Sequence, residues 1–320
     1  MRLVFLGTPD IAVSSLKYFI QKEDIEVVAV VTQPDKPAGR GKKLTPPPVK
    51  VVAEENNLRV FQPVSIRKDQ ELLQTLRDLQ PDIFITVAFG QILSQEVLDI
   101  PKLGTINLHA SLLPKYRGAN PIQRAIVNGE KVSGVTTMLT DIGIDTGDML
   151  LKQEIEITEN MTSVDLANKI SEIGPELLYR SIIGLADGSI KPIPQNHDEA
   201  THAAKFKKED GLINWNQSAS SIHNQVRGML PWPVAYTYFN NNVVKIVETE
   251  LIKNKENIKI EPAGKIVNII KSGIEVATGN GLILVKKLQP PGKSVMDAYS
   301  WANGARITPN DQFTNEIQGE

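Results

Sequence analysis

The sequence contains no cysteine. That excludes a disulfide framework, a thiolate zinc site and a cysteine nucleophile, and it fits a reducing compartment. No apolar run approaches the roughly 20 residues that cross a bilayer. The N-terminal run at residues 3–6 is far shorter than a signal-peptide core, so the expectation is a soluble, cytoplasmic protein without membrane contact. Net charge is almost absent too: 35 Lys and Arg against 37 Asp and Glu leave −2. A protein that coats nucleic acid non-specifically is normally basic, so any such contact here must come from local patches.

Several common catalytic signatures are also missing. A dinucleotide fingerprint after the first strand would read G-x-G-x-x-G. Gly7 supplies the first glycine, but Pro9 and Ala12 stand at the next two places, and a proline has no N–H for a pyrophosphate. The phosphate-cradling G-x-x-x-x-G-K fails because Lys36 stands where Gly41-Lys42 needs a glycine. There is no G-x-S-x-G elbow and no H-E-x-x-H. The run 141–148 superficially resembles a calcium loop, but its twelfth position, normally a bidentate glutamate, is Lys152. No metal site is expected.

What is present is 320 residues, 41% of them hydrophobic and 22% charged, enough for two domains with their own cores. β-rich runs at 3–6, 27–31, 83–89, 105–109 and 135–139, without alternation except in 105–109, are separated by helical patterns such as 11–20, 69–79 and 121–127. That pattern predicts an open, mostly parallel α/β sheet covered on both faces. A long helix is predicted at 163–186, with Leu166, Ile170, Ile173, Leu177 and Leu178 on one face. The composition then shifts. We read 1–188 as an α/β domain, 189–205 as a polar, proline-containing linker, and 206–320 as a second domain. In the last, short strands at 234–239, 243–250, 264–270, 273–277 and 282–287 predict a small β-barrel or sandwich. It carries 13 Lys and Arg against 11 Asp and Glu, too even by itself to indicate a nucleic-acid surface. Nothing marks an oligomer, so a monomer is expected.

Four segments are candidates for chemistry. In 105–109, Asn107 and His109 are two residues apart on a strand and share a face, at the carboxyl end where ligands bind in open α/β sheets. An amide N–H and an imidazole there can converge on one small oxygen, or simply be a satisfied polar strand end. The following Ser111-Leu112-Leu113-Pro114 can line a slot for a flat ligand or pack on its own core. Asp141, Asp145 and Asp148 repel one another; one of them can be held by a cation or imidazolium, or the run is an Asx-rich turn. The stretch 33–50 carries Lys36, Arg40, Lys42, Lys43 and Lys50 against Asp35, and reads as a phosphate-contacting loop or a solvated one.

Together these segments resemble the methionyl-tRNA formyltransferase family along nearly the whole chain. The resemblance is carried by F-L-G-T-P-D at 5–10, T-Q-P-D-K-P-A-G-R-G-K-K-L at 32–44, I-N-L-H-A-S-L-L-P-K-Y-R-G-A-N-P-I-Q at 106–123 and D-I-G-I-D-T-G-D-M at 141–149. The third and fourth motifs are shared with other folate-dependent formyltransferases. The basic loop and the appended β domain, with P-W-P at 231–233, narrow the resemblance to the tRNA-directed family. Tyr116 and Asn120 stand where relatives often carry other residues.

The resemblance implies transfer of a formyl group from 10-formyltetrahydrofolate to the α-amino group of methionyl initiator tRNA, without a metal. It implies Asn107, His109 and Asp145 as the catalytic trio and Ser111, Leu112, Leu113 and Pro114 as the folate-binding segment. Arg40, Lys42 and Lys43 fall in the loop that enters the acceptor arm at its unpaired end, and the C-terminal domain is implied to be an OB-like barrel that grips the tRNA backbone. In the implied mechanism, Asn107 Nδ2–H and a protonated His109 stabilise an oxyanion, while Asp145 favours the imidazolium and helps pass the amine's proton to N10. Two alternatives remain at this point. One is a formyltransferase acting on glycinamide ribonucleotide or an amino sugar; the other is a non-catalytic RNA-binding protein on the same scaffold.

Overall fold

The computed structural model describes residues 1–38, 41, 43–252 and 261–316. Along the chain run β1 (Arg2–Gly7), α1 (Asp10–Ile20), β2 (Glu26–Val31), β3 (Lys36–Ala38), β4 (Lys43–Thr45), α2 (Pro48–Glu55), β5 (Val60–Phe61), α3 (Gln70–Asp78), β6 (Ile83–Val87), α4 (Gln95–Leu98) and β7 (Thr105–His109). They are followed by β8 (Arg117–Gly118), α5 (Pro121–Val127), β9 (Val132–Leu139), β10 (Met149–Glu156), α6 (Ser163–Ala186) and β11 (His202–Ala203). The remainder holds α7 (Ala219–Gly228), β12 (Tyr236–Phe239), β13 (Asn242–Leu251), β14 (Ile266–Ile270), β15 (Gly273–Ala277), β16 (Leu282–Gln289), β17 (Met296–Asp297) and α8 (Ala298–Gly304). No helix among the described residues is long and apolar enough to cross a membrane.

Two compact units result. The first comprises Met1–Ala119, Val132–Glu156 and Ala167–Ala203. Its seven-stranded sheet has the order β10-β9-β7-β6-β1-β2-β5. The strands from β5 to β7 are parallel; β9 and β10 are antiparallel additions at one edge. Leu3, Val4, Phe5 and Leu6 are all fully buried, as are Ile83, Phe84 and Ile85. That is why these strands show no alternation: both faces are covered. The chain winds from β1 outward to β2 and β5, then returns to β6 on the other side of β1. This reversal falls at the carboxyl ends of β1 and β6, the kind of place where α/β sheets bind ligands.

β10 lies outside the sequence pattern. Its centre, Lys152-Gln153-Glu154, is exposed and polar, and a register shift separates Met149 from Leu151. An edge strand of this kind is protected from further pairing by its charges, and the same charges hide it from a search for apolar runs.

The second unit comprises Asn120–Lys131, Ile157–Leu166 and Ala204–Glu320. Its antiparallel sheet has the order β12-β13-β16-β15-β14, with β17 on β16. The chain after α8 pairs with both free edges. Phe313 N donates to Gly264 O at 2.8 Å beside β14, and Thr314 and Tyr238 of β12 exchange backbone bonds at 2.9 Å. This tail closes the sheet into a small barrel, the fold expected for the second domain. Inside it Phe313 stacks between Trp215 and Trp301, with ring centroids 5.6 and 6.1 Å away. α7 escapes the sequence pattern because only Ile222 and Val226 mark its inner face in a serine-rich run; Ser218 caps it by accepting from Ser221 N.

Candidate active site

The site grows from β7. Gly174 of α6 lies so close beneath it that a β-carbon there would come 2.5 Å from Leu108 Cδ2. Leu108 therefore faces α6, and alternation sends Asn107 and His109 to the opposite face. In the parallel pairing of β6 with β7, Thr86 stands beside Asn107. Its hydroxyl donates to Asn107 Oδ1 at 2.8 Å. The amide oxygen is thus held, and Nδ2, with its two hydrogens, has no partner among the described residues.

His109 is buried between two acceptors. Its Nε2 lies 3.0 Å from Tyr116 O, and its Nδ1 lies 3.5 Å from Asp145 Oδ1. A carbonyl and a carboxylate only accept, so each contact is matched when the facing ring nitrogen carries a proton. Asp145 reaches this place from the turn after β9. Its φ is +54°, and its Oδ2 accepts from Gly118 N at 2.8 Å. The turn is tight: a β-carbon on Gly147 would sit 1.7 Å from Leu139 O. Of the three aspartates, Asp141 is tied locally, accepting from Thr146 Oγ1 at 2.7 Å and Gly143 N at 3.1 Å. Asp145 is the one that meets the imidazole.

The segment 111–114 is tied inward. Thr136, opposite His109 in the pairing of β7 with β9, donates its hydroxyl to Ser111 O at 2.7 Å and accepts from Leu113 N at 3.1 Å. Leu113 packs with Met138 and Met149. Leu112 covers Gly134, where a β-carbon would come 2.6 Å from its Cδ2. Leu113 is thus packed inward, while Leu112 is half-buried against Gly134.

The basic stretch is a hairpin, with β3 and β4 paired from Lys36↔Thr45 to Ala38↔Lys43. Lys43 is exposed; Arg40 and Lys42 lie outside the described residues. At its foot Asp35 accepts from Gln62 Nε2 at 2.7 Å and from Lys50 Nζ at 3.0 Å, and these two donors hold its carboxyl below the usual carboxylate range.

Sequence reasoning missed the second layer of the site. Arg117 and Gln195 are buried and hydrogen-bonded to each other, and Gln195 reaches the Asp145 turn. The polar stretch 189–205 thus contributes an ordered side chain next to the site. Arg117 lies within the 106–123 motif, but nothing in the sequence pairs it with Gln195, 78 residues away.

A family model described as formyl transferase matches residues 1–182, and one described as formyl transferase, C-terminal domain, matches residues 205–306. The chain is 50% identical over 307 residues to a methionyl-tRNA formyltransferase of Clostridium tetani, covering 96% of this chain and 97% of that protein. It is 48% identical over 307 residues to that of Clostridium novyi, covering 96% and 98%. Among solved structures it is similar to a sugar 3N-formyltransferase crystallised with dTDP and 5-N-formyl-THF, with TM-score 0.66, 22% identity, and 92% and 99% of the two chains covered; that likeness concerns the fold. Matching of both domains and near-complete coverage at half identity place the chain in one group: it belongs to the methionyl-tRNA formyltransferase family.

Proposed function

We propose that the chain transfers a formyl group from 10-formyltetrahydrofolate to the α-amino group of methionine esterified to initiator tRNA. The observation that carries this reading is the meeting of His109 Nδ1 and Asp145 Oδ1 at 3.5 Å, with Asn107 and its unpartnered amide nitrogen on the same strand face. The residues present suit a flat heteroaromatic donor. Ile142 and Ile144 stand 71% and 66% exposed on the turn that carries Asp145, leaving apolar surface beside the carboxylate. We assign the donor's binding also to Ser111, Leu112, Leu113 and Pro114, a segment tied in place by the Thr136 hydroxyl.

When bound, the folate supplies the formyl carbon and its N10 is released as an amine. The attacking group must be a neutral amine, and an α-amino group titrates at about 7.7–8.0 before esterification lowers it further. As the C–N bond forms, the carbonyl oxygen gains charge. Asn107 Nδ2–H donates to it, and the Thr86 hydroxyl fixes which end of the amide faces it. In the structure His109 gives its Nε2–H to the Tyr116 carbonyl, so the ring becomes a second donor only by exchanging that carbonyl for the substrate oxygen. Asp145 holds the ring's other nitrogen and helps move the amine's proton toward N10, through water.

We assign tRNA contact to Lys43, with Arg40 and Lys42, and to the barrel unit; the roles of 1–188 and 206–320 as catalytic and tRNA-binding domains, a monomeric state and a cytoplasmic location complete the reading. The test is turnover with charged initiator tRNA, with and without 10-formyltetrahydrofolate, in competition with glycinamide ribonucleotide and an amino sugar. Formylmethionyl-tRNA is the expected product. Preferential formylation of either small amine, or tRNA binding without transfer, overturns the reading.

A further inference from the structure

Arg117 is 4% exposed, and among the described residues no carboxylate pairs with it. Its Nε and Nη2 donate to one atom, Gln195 Oε1, at 3.0 and 2.7 Å, and Nη1 lies 3.2 Å from His197 Nδ1. A buried guanidinium satisfied by an amide and an imidazole is a poor choice for stability alone, because desolvation is only partly offset. What the arrangement achieves is the orientation of Gln195. With its oxygen held by the guanidinium, the amide's two hydrogens are directed at Asp145 O, 2.9 Å away, and at Gly147 O, 2.7 Å away.

Those carbonyls belong to the turn that keeps Asp145 in the left-handed region at φ +54°, a conformation disfavoured for an L residue. The Asp145 side chain is held from the same two-residue segment, since Gly118 N donates to Oδ2. Arg117 and Gly118 therefore grip Asp145 twice, at the carboxylate directly and at the carbonyl through Gln195. The chain bearing Gln195 is itself pinned on both sides. Ile193 exchanges backbone bonds with Met149 at 2.8 and 2.9 Å, and β11 pairs with β8 at His202↔Arg117.

We propose that Gln195, backed by Arg117, is a positioning residue for formyl transfer: it locks the Asp145 turn so that the carboxylate stays against His109. This rests on the reading of Asp145 as a member of the reacting trio. Gln195→Glu separates the two functions of the side chain. It keeps an acceptor for Arg117, so the buried cation stays paired, and it removes both donors to the turn. The expected result is a kcat lower by about 10–100-fold, the cost of a displaced supporting group or an ångström-scale misplacement, with KM for folate and tRNA within about twofold. In an Asp145→Asn background the same change is expected to add less than about twofold, since it acts through that carboxylate. A purely architectural role predicts instead that the two losses multiply, and that outcome overturns the proposal.

A second readout needs no acceptor. In ¹⁵N-labelled protein at fixed pH, the His109 Nδ1 resonance is expected to move in Gln195→Glu, with the signals of the barrel's His223 unchanged. A His109 resonance that stays in place overturns the positioning role. A wild type that binds folate yet fails to formylate methionyl-tRNA, with the resonance shift present, overturns the formyl-transfer reading alone.

Discussion

Among the described residues each unit buries one histidine and one arginine, and the two clusters make a controlled comparison. In the first unit His109 and Arg117 are 5% and 4% exposed; in the second His223 and Arg227 are 3% and 5% exposed. The second cluster is closed. His223 Nδ1 meets Thr249 Oγ1 at 2.9 Å and Nε2 meets Glu159 O at 3.0 Å. Arg227 donates to Met161 O at 2.6 Å and, through two nitrogens, to Asn224 Oδ1. These bonds stitch α7 to the 158–161 turn and to β13. The first cluster adds a carboxylate, an amide nitrogen without a partner and a left-handed residue, at the carboxyl end of a parallel sheet. Burial is the same in both. What marks the first cluster as the proposed reacting site is unspent hydrogen-bonding capacity next to a carboxylate.

The largest expected effect breaks the comparison on its catalytic side. Asn107→Ala and Asp145→Ala should each lower kcat by about 10²–10³, the usual cost of one oxyanion donor or its equivalent, while thermal midpoint and folate binding stay close to wild type. A variant with near-normal turnover would falsify the assignment of that residue. The matching change in the second unit, Arg227→Met, should do the reverse. It leaves Met161 O unsatisfied in the interior and takes both donors from the half-buried Asn224 Oδ1, and should cost about 1–3 kcal/mol of stability, read by urea unfolding. The kcat of the folded fraction should be unchanged. If Arg227→Met reduces kcat as strongly as Asn107→Ala, the division between the clusters is wrong.

The cluster we propose as catalytic was half legible in the sequence, and the division is physical. Asn107 and His109 were legible because a strand's two-residue period puts both on one face without further information. Asp145 was legible only as one of three aspartates; which one meets the imidazole depends on the backbone turning left-handed at 145 and on the close approach at Gly147. Arg117 lay inside the 106–123 motif, but its pairing with Gln195 left no trace, because it spans 78 residues and Gln195 lies on no helix or strand. The fold divides in the same way. The buried parallel strands announce themselves by apolar runs, and 163–186 matches α6 residue for residue, whereas β10 and α7 carry their function on polar residues. Barrel closure depends on backbone bonds from 311–314, a stretch with no strand-like composition.

A subtler change tests how much the catalytic cluster depends on preorganisation. Thr86→Val keeps the shape of the side chain and removes the hydroxyl that holds Asn107 Oδ1. Strand register still places Asn107, so the amide is misoriented only part of the time. A loss of one neutral hydrogen bond of about 0.5–1.5 kcal/mol corresponds to a fall in kcat of up to about tenfold, with KM nearly constant. A drop as large as that of Asn107→Ala would mean that the hydroxyl itself meets the substrate.

The smallest effect is a pH dependence confined to the second cluster. Burial, as the leading cause, pushes the His223 imidazole below its usual value of 6.5; the Glu159 carbonyl opposes this, and the positive charge of Arg227 adds to it. The folded barrel unit then binds fewer protons than its unfolded chain between its lowered value and the unfolded value near 6.5, so stability rises with pH across that window. The contribution is complete above about 6.5 and is lost as the pH falls through the lower folded-state value. His223 is the only histidine after residue 203, and carboxylates such as Glu248, held below 4.5 first by Lys287, titrate further down. Trp215, Trp232 and Trp301 all lie in this unit, so tryptophan fluorescence reports its unfolding alone. Urea midpoints should fall between pH 7.5 and 5.5 in the wild type and change less in His223→Gln, whose amide can keep bonds to Thr249 and the Glu159 carbonyl without titrating. Equal slopes in the two proteins would show that the buried imidazole carries no proton-linked stability, and that the closed cluster tolerates charge as readily as the open one.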